Sequence, residues 1–359
     1  MDSKMRFYLT PNLIMIICLL VIPLSLAAAE TPKTVEYETG FYYTVQKGDT
    51  LWDLSQKFAD TPWLWPEMWK ENDQIANPHR IYPGERIRLY RRLGEQGYGG
   101  RMGEQGYGGA EEKAAGETKA PEEKPELTKL LSYEYAAIDR VGFIRREPVP
   151  AHGSIFKVEG QKEMISRDDL VYIKPAQNFT LSPGEKYTVY RTLQPIVDKK
   201  TNAFIGIQHY LTGAVEIIIK RPEFVVARVV AGYRPIKVGD LLMPFEGRMR
   251  SVSMQPTPPG LEGRIIVSEE HQTIFGESTI AFIDKGKLAG VEPGQLYWIF
   301  KQEKYRINPK EENAVTLTPV LLGELMVLHT ENTTSTVMIT DSRRAISAGA
   351  RIIAPFKLD

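Results

Sequence analysis

Residues 42–90, YYTVQKGDTLWDLSQKFADTPWLWPEMWKENDQIANPHRIYPGERIRLY, carry the densest structural punctuation in the chain. An apolar and aromatic run, Phe41–Val45, leads into Lys47-Gly48-Asp49-Thr50. Thr50-Leu51-Trp52-Asp53 fits the [ST]-x-x-[DE] capping box, in which a hydroxyl and a carboxylate satisfy orphan N–H groups of a starting helix. Leu51, Leu54 and Phe58 then recur at i, i+3 and i+7, which predicts one apolar helix face. Pro66 suits the first position of a second short helix, where its missing N–H costs nothing. Asn77-Pro78 and Tyr82-Pro83-Gly84 mark turns, and Arg86–Tyr90 alternates with the period of a strand. The expected order is β-α-α-β.

On either side the composition changes. Upstream, Lys4 and Arg6 precede an apolar run, Leu13–Leu26, and Ala27-Ala28-Ala29. This is the n-region, h-region and small-residue site of an export signal, expected at 1–29 and expected to be cleaved. Downstream, a nine-residue stretch, Leu93–Arg101, is repeated at Met102–Ala110, and Glu, Lys and Ala with Pro121 and Pro125 follow. Neither has enough apolar side chains to offset the entropy of ordering, so 91–129 reads as a flexible tether.

Residues 42–90 resemble the LysM family, the small glycan-binding module of cell-wall proteins. The matching residues are Tyr43-Thr44-Val45, Gly48-Asp49-Thr50-Leu51-Trp52, Leu54-Ser55, Trp69 with Asn72, and Ile81-Tyr82-Pro83-Gly84 with Ile87 and Leu89. The segment Asp73–Arg80 is longer than the family's usual connection, and Trp63 and Trp65 add aromatics. The resemblance implies a groove between two loops, one before the first helix and one before the second strand. Position by position, it implies glycan contacts from Gly48, Asp49, Thr50 and Leu51, and from Pro78, Ile81, Tyr82 and Pro83. Trp63 and Trp65, in the turn before Pro66, are the added candidates as sugar platforms, whereas Trp52 and Trp69 are expected in the core. The implied ligands are peptidoglycan glycan strands, in which acetamido groups meet backbone donors and flat C–H faces meet apolar surface.

The remaining 230 residues from Leu130 predict a mainly β region. Short β-branched runs at Leu170–Ile173, Lys186–Tyr190, Gly213–Ile219, Glu223–Val230 and Leu241–Met243 are broken by Pro, Gly and Asn. Leu181-Ser-Pro-Gly-Glu-Lys-Tyr187 returns as Val291-Glu-Pro-Gly-Gln-Leu-Tyr297, and Ile236-Lys-Val-Gly239 as Ile346-Ser-Ala-Gly349, both 110 positions later. This register predicts a duplicated unit, small barrel or compact sheet, over 130–247 and 265–359 with a linker at 248–264. The fold class expected for the whole chain is therefore α+β. The β region is faintly similar to β modules that follow LysM domains in exported bacterial proteins.

Charge and cysteine usage narrow the chemistry. With 45 basic and 45 acidic side chains, nothing in the balance points to nucleic acid. The one cysteine, Cys18, lies inside the expected leader, so the mature chain has no thiolate nucleophile and no disulfide. Five histidines are scattered without metal-ligand spacing and read as surface or turn residues, with His79 beside the expected groove. Asp168-Asp169 and Glu269-Glu270 read as solvated turns. No catalytic residue, metal or cofactor is implied. The expectation is a non-catalytic, exported glycan-binding protein of the periplasm or cell wall, with a possible envelope protein as partner of the β region and no membrane span once the leader is removed. A cell-wall hydrolase, or an assembly factor that uses the module only as an anchor, are the alternatives.

Overall fold

The computed structural model describes residues 38–59, 61–89, 131–162, 164–307 and 315–355. The expected leader at 1–29 and tether at 91–129 lie outside these residues. Two α-helices and the first two strands come in the expected order: β1 (Gly40–Thr44), α1 (Leu51–Ala59), α2 (Trp65–Lys70) and β2 (Arg86–Arg88). After the tether come β3 (Leu131–Glu134), β4 (Phe143–Arg145), β5 (Gly153–Val158), β6 (Leu170–Pro175) and β7 (Lys186–Thr192). They are followed by β8 (Ile196–Val197), β9 (Phe204–Lys220), β10 (Val225–Gly232), β11 (Leu241–Pro244) and β12 (Ser251–Ser253). The last group is β13 (Glu262–Ser268), β14 (Ile280–Ile283), β15 (Leu296–Lys301), β16 (Lys304–Tyr305), β17 (Val315–Thr316), β18 (Val320–Thr330), β19 (Ser335–Ser342) and β20 (Arg351–Ile353).

The N-terminal sheet is larger than the β-α-α-β pattern predicts. Its order is β12-β3-β1-β2, all antiparallel, so β1 sits between its own hairpin partner and two strands from beyond the tether. Tyr43 pairs with Ile87 on one side and Leu131 on the other. The segment expected as a linker at 248–264 therefore contains an edge strand, and its Met254 is buried in the core. Leu51, Leu54 and Phe58 pack inward as their spacing requires, in one cluster with Tyr43, Ile75 and Ile87. That cluster does not stop at the module. It continues through Leu131 and Tyr133 to Ile280, Met326 and Met338, so the N-terminal sheet is seated on the C-terminal region.

Beyond β3 the fold is mostly β. The strands β13-β14-β19-β18-β15-β20 form a closed barrel. The sheet before it runs β10-β6-β5-β11-β7-β9, and β10 also pairs with β9, which closes a circuit of the same order. The pairings coincide at an offset of 110: Ile173 faces Val225 as Ile283 faces Ser335, and Tyr190 faces Leu241 as Phe300 faces Arg351. Isolated bridges repeat likewise, Ile165–Ile236 and Phe275–Ile346. So do left-handed residues, Asp168 at φ 69° and Ser278 at φ 63°. Each circuit closes over its own apolar core, with Val189, Val215 and Ile236 in one and Ile299, Leu325 and Ile346 in the other. Gly213 and Gly323 are needed at equivalent points by close approach: a Cβ would stand 2.5 Å from the Ala231 carbonyl oxygen or 2.1 Å from that of Asp341.

A polar seam joins the two circuits. The Glu269 carboxylate accepts from Gly142 N–H at 2.7 Å and from Arg234 Nη2 at 2.7 Å, while Gln208 Nε2 donates to the Glu269 carbonyl at 2.9 Å. Glu269 is buried rather than solvated as its sequence position suggests, and burial raises its pKa despite Arg234 beside it. Thr334 and Thr336 hydroxyls donate to the carbonyls of Ile144 and Gly142 at 2.7 and 2.8 Å. Arg145 pairs with Glu331 at 2.7 Å. Glu331 is desolvated, which alone would raise its pKa, yet its hydrogen bonds to His329 and Arg145 hold it below the usual carboxylate range.

His209 is likewise buried, contrary to the surface role its spacing suggests. It stacks on Phe143 at 4.7 Å, and its Nε2 accepts the Val149 N–H at 2.9 Å. That acceptor role requires an unprotonated Nε2, so Nδ1 carries the proton and faces the Ile207 carbonyl at 3.2 Å. Burial lowers its pKa to about 4, against an ordinary value of 6.5. The unfolded chain thus binds one more proton than the folded chain between those values. The stabilisation is complete above pH 6.5 and lost as the pH falls toward 4, in total on the order of 3 kcal/mol. Urea titrations across this window should show stability falling with acid, and His209→Phe should flatten that slope.

Candidate functional site

The loop before α1 is built from one turn and one cap. Asp49 N–H reaches the Gln46 carbonyl at 3.2 Å, and Gly48 takes φ 94° inside this turn, a conformation L side chains rarely adopt. Nothing lies within 4 Å of a Cβ placed on Gly48, so backbone angle and not close approach is its constraint. The Asp49 carboxylate then fixes the loop, accepting from Tyr43 OH and from Gln46 N–H, both at 2.8 Å. As a result the Tyr43 phenol is pushed well above its usual pKa, first by burial and then by that hydrogen bond. Thr50 Oγ1 accepts Asp53 N–H at 3.1 Å and donates to the Asp53 carboxylate at 2.7 Å, half of the expected capping box.

The second loop is held against the first. Gly84 N–H donates to the Val45 carbonyl at 2.9 Å, and Val45 N–H to the Glu85 carbonyl at 2.8 Å. Glu85 closes the Tyr82-Pro83-Gly84 turn by accepting Tyr82 N–H on its carboxylate at 2.8 Å. Further back, the Asn77 side chain caps His79 N–H at 3.0 Å. Asn72 anchors the chain leading into this loop. Its side chain donates to the carbonyls of Met68 and Arg88 and accepts Arg88 N–H, at 2.7, 3.0 and 2.7 Å, behaving as one more residue of strand pairing with β2. With Gln74 Nε2 also donating at 3.1 Å, all four bonding positions of the buried amide are used.

Between the loops lies a cleft of ≈ 820 Å³. Six of the ten expected residues line it with both loops represented: Asp49, Thr50 and Leu51 from one, Pro78, Ile81 and Tyr82 from the other. Trp65 is a seventh; it is partly buried, packs on the core and tilts over His79 at 5.7 Å. Gly48 and Pro83 shape the two turns without lining the cleft, and Trp63 stands outside it. Trp63 is 75% exposed and meets Trp52 edge-on at 4.9 Å. Trp52, expected in the core, is 42% exposed and lines the cleft with Asp53, His79 and Arg80. The sequence contains the signal: Leu51, Leu54 and Phe58 define the buried face of α1, and Trp52 is one residue off it. Trp69 stays with the core as expected, its indole N–H donating to the Ile75 carbonyl at 2.7 Å.

The cleft thus offers three aromatic surfaces, Trp52, Trp65 and Tyr82, at the meeting of two turns whose backbone is fixed by side-chain caps. Such a surface suits a ligand with flat apolar faces and amide or hydroxyl groups at its edges.

Residues 43–89 match the LysM domain family. This segment is a LysM domain. Uncharacterized protein YqbP of Bacillus subtilis (strain 168) is 40% identical over 57 residues, which is 13% of this chain and 26% of that protein. The chain matches about a quarter of the length of this curated relative. A LysM domain implies binding of glycans of the peptidoglycan and chitin type. No helix among the described residues is long and apolar enough to cross a membrane.

Asn72→Ala should lower stability by about 2–4 kcal/mol, because it strands a buried N–H and two carbonyls at once. Gln74→Ala, at the exposed rim of the same network, should cost less than about 1 kcal/mol. Urea denaturation of the full chain measures both.

Proposed function

We propose that this chain is an exported, non-catalytic protein of the bacterial cell envelope. The LysM cleft holds the N-acetylglucosamine-containing strands of peptidoglycan, with Trp52 and Tyr82 stacking on sugar faces. The backbone groups of the Asp49–Leu51 and Pro78–Tyr82 loops would receive the acetamido group. The observation that carries this reading is the joining of those two loops in one aromatic-lined cleft within the LysM domain. The two strand circuits are read as copies of one unit, as their shared order and 110-residue register suggest. In this reading they form a scaffold whose outer surface is available to a protein of the envelope.

The sheet that LysM shares with β3 and β12 alters how the function is tested. Deleting the module would strip β1 from one edge of β3 along with the glycan site, so point substitutions are the cleaner probe. Intact peptidoglycan sacculi should carry the full chain into the pellet. Trp52→Ala and Tyr82→Ala should each weaken retention roughly three- to tenfold, the scale of one lost aromatic contact. Unchanged retention in the double variant would place the glycan site elsewhere.

A further inference from the structure

The apolar surface of the LysM domain does not end at the cleft. Trp52 lines the cleft from α1 and also meets Trp63, which lies outside it, with ring centroids 4.9 Å apart and ring planes at 77°. Both indoles are exposed, Trp63 the more so. Trp63 sits in a single 3-10 turn, Pro62–Leu64, none of whose three residues is buried. The neighbouring tryptophans, Trp65 and Trp69, pack against the core, and Trp63 is not among the residues that do. A large apolar side chain that serves no core is informative, and two such side chains in contact form one continuous exposed surface. That surface runs from the cleft onto the turn.

The turn that carries Trp63 is tied to a helix at each end. Ser55 of α1 is wholly buried, and its hydroxyl donates to the Thr61 carbonyl at 2.9 Å. Pro62 opens the turn, and Trp65 N–H donates to the Pro62 carbonyl, which leads the chain straight into α2. The backbone at Trp63 is therefore set before any ligand arrives. Its indole has only two side-chain torsions to lose on contact, so a stacked ligand meets a large face at low entropic cost. Because the two ring planes differ by 77°, Trp52 and Trp63 make a corner and not a flat shelf. A ligand that uses both must have two flat apolar faces on separate rings joined by a linkage that turns.

We propose that Trp63 is an outlying subsite that makes the domain selective for strand length: one sugar of a glycan strand rests on Trp52 in the cleft, and a later sugar of the same strand rests on Trp63. The inference builds on the glycan reading of the cleft given above. Its occupant follows from continuity, since the indole that lines the cleft is the one that touches Trp63. Short fragments that fill only the cleft gain nothing from Trp63, whereas a long strand gains a second stacking contact. The domain thus favours extended N-acetylated strands over small soluble fragments of the same sugars.

Calorimetric titration of the full chain with a ladder of soluble N-acetylglucosamine oligomers, from the disaccharide upward, tests this. Wild-type affinity should rise with length and then level off. In Trp63→Ala the ratio of long-oligomer to short-oligomer affinity should drop about three- to tenfold, the scale of one lost aromatic contact. Trp63→Phe keeps a ring at the corner and should restore part of that ratio. Trp52→Ala should instead lower the whole ladder. Thermal unfolding of Trp63→Ala should match wild type, as its exposure requires. If Trp63 served only to hold Trp52 in place, its loss would weaken short and long oligomers by the same factor. An unchanged ratio therefore overturns the proposal, whether the two ladders coincide or shift together. Wild type that binds short and long oligomers equally overturns it too, while leaving the cleft as a glycan site. Wild type that binds no member of the ladder removes the glycan reading itself, and the proposal with it.

Discussion

Strand β1 is the member on which the rest of the described structure depends. Its five residues bond to β2 on one edge, which makes the LysM hairpin, and to β3 on the other, which makes the joint to the β region. Tyr43 stands at the crossing of both. Its ring is in the core beside Phe58 at 5.2 Å, and its phenol ties the Asp49 loop that forms one wall of the cleft. A LysM domain alone would leave this edge of β1 open, a row of unpaired backbone groups available to any passing strand. Here β3 fills it and β12 covers β3 in turn. The Arg86 guanidinium bridges Glu134 and Ser132 across the same sheet, which adds charge-assisted bonds where the two regions meet.

This joint changes the mechanical picture drawn from composition. A Gly-rich repeat followed by a Glu/Lys/Pro stretch predicts a module hanging on a tether. The strands flanking that stretch, β2 and β3, are instead both hydrogen-bonded to β1, and Met326 and Met338 on the outside of the closed barrel complete the module's core. The cleft is therefore fixed in orientation relative to the barrels. Any glycan held by Trp52 and Tyr82 is placed at a set distance from the barrel surfaces, whatever the residues of the tether do.

How much of this was legible beforehand follows from the range of each interaction. The cap at Thr50 and the apolar face of α1 are local, and residues 42–90 declare them. The 110-residue register was legible because turn residues such as Pro183-Gly184 and Pro293-Gly294 recur in the sequence, and the strand pairings of the two circuits fall at the same offset. Trp52 was misplaced because aromatic bulk was weighed above helix phase. The buried states of Glu269 and His209 were hidden for another reason: their partners, Gly142, Arg234, Phe143 and Val149, lie 35–127 residues away, and no spacing rule connects them. The pairing of β1 with β3 was hidden in the same way, since it spans the tether and an edge strand's partner has no local signature.

The most direct test of the central claim is an amide-resolved NMR titration of the full chain with a soluble oligomer of N-acetylglucosamine. The account predicts shifts concentrated in the amides of Gly48–Asp53 and His79–Tyr82 and in the Trp52 indole, with the barrel strands unmoved. Shifts concentrated instead on the barrels, or none at saturating oligomer, would contradict it.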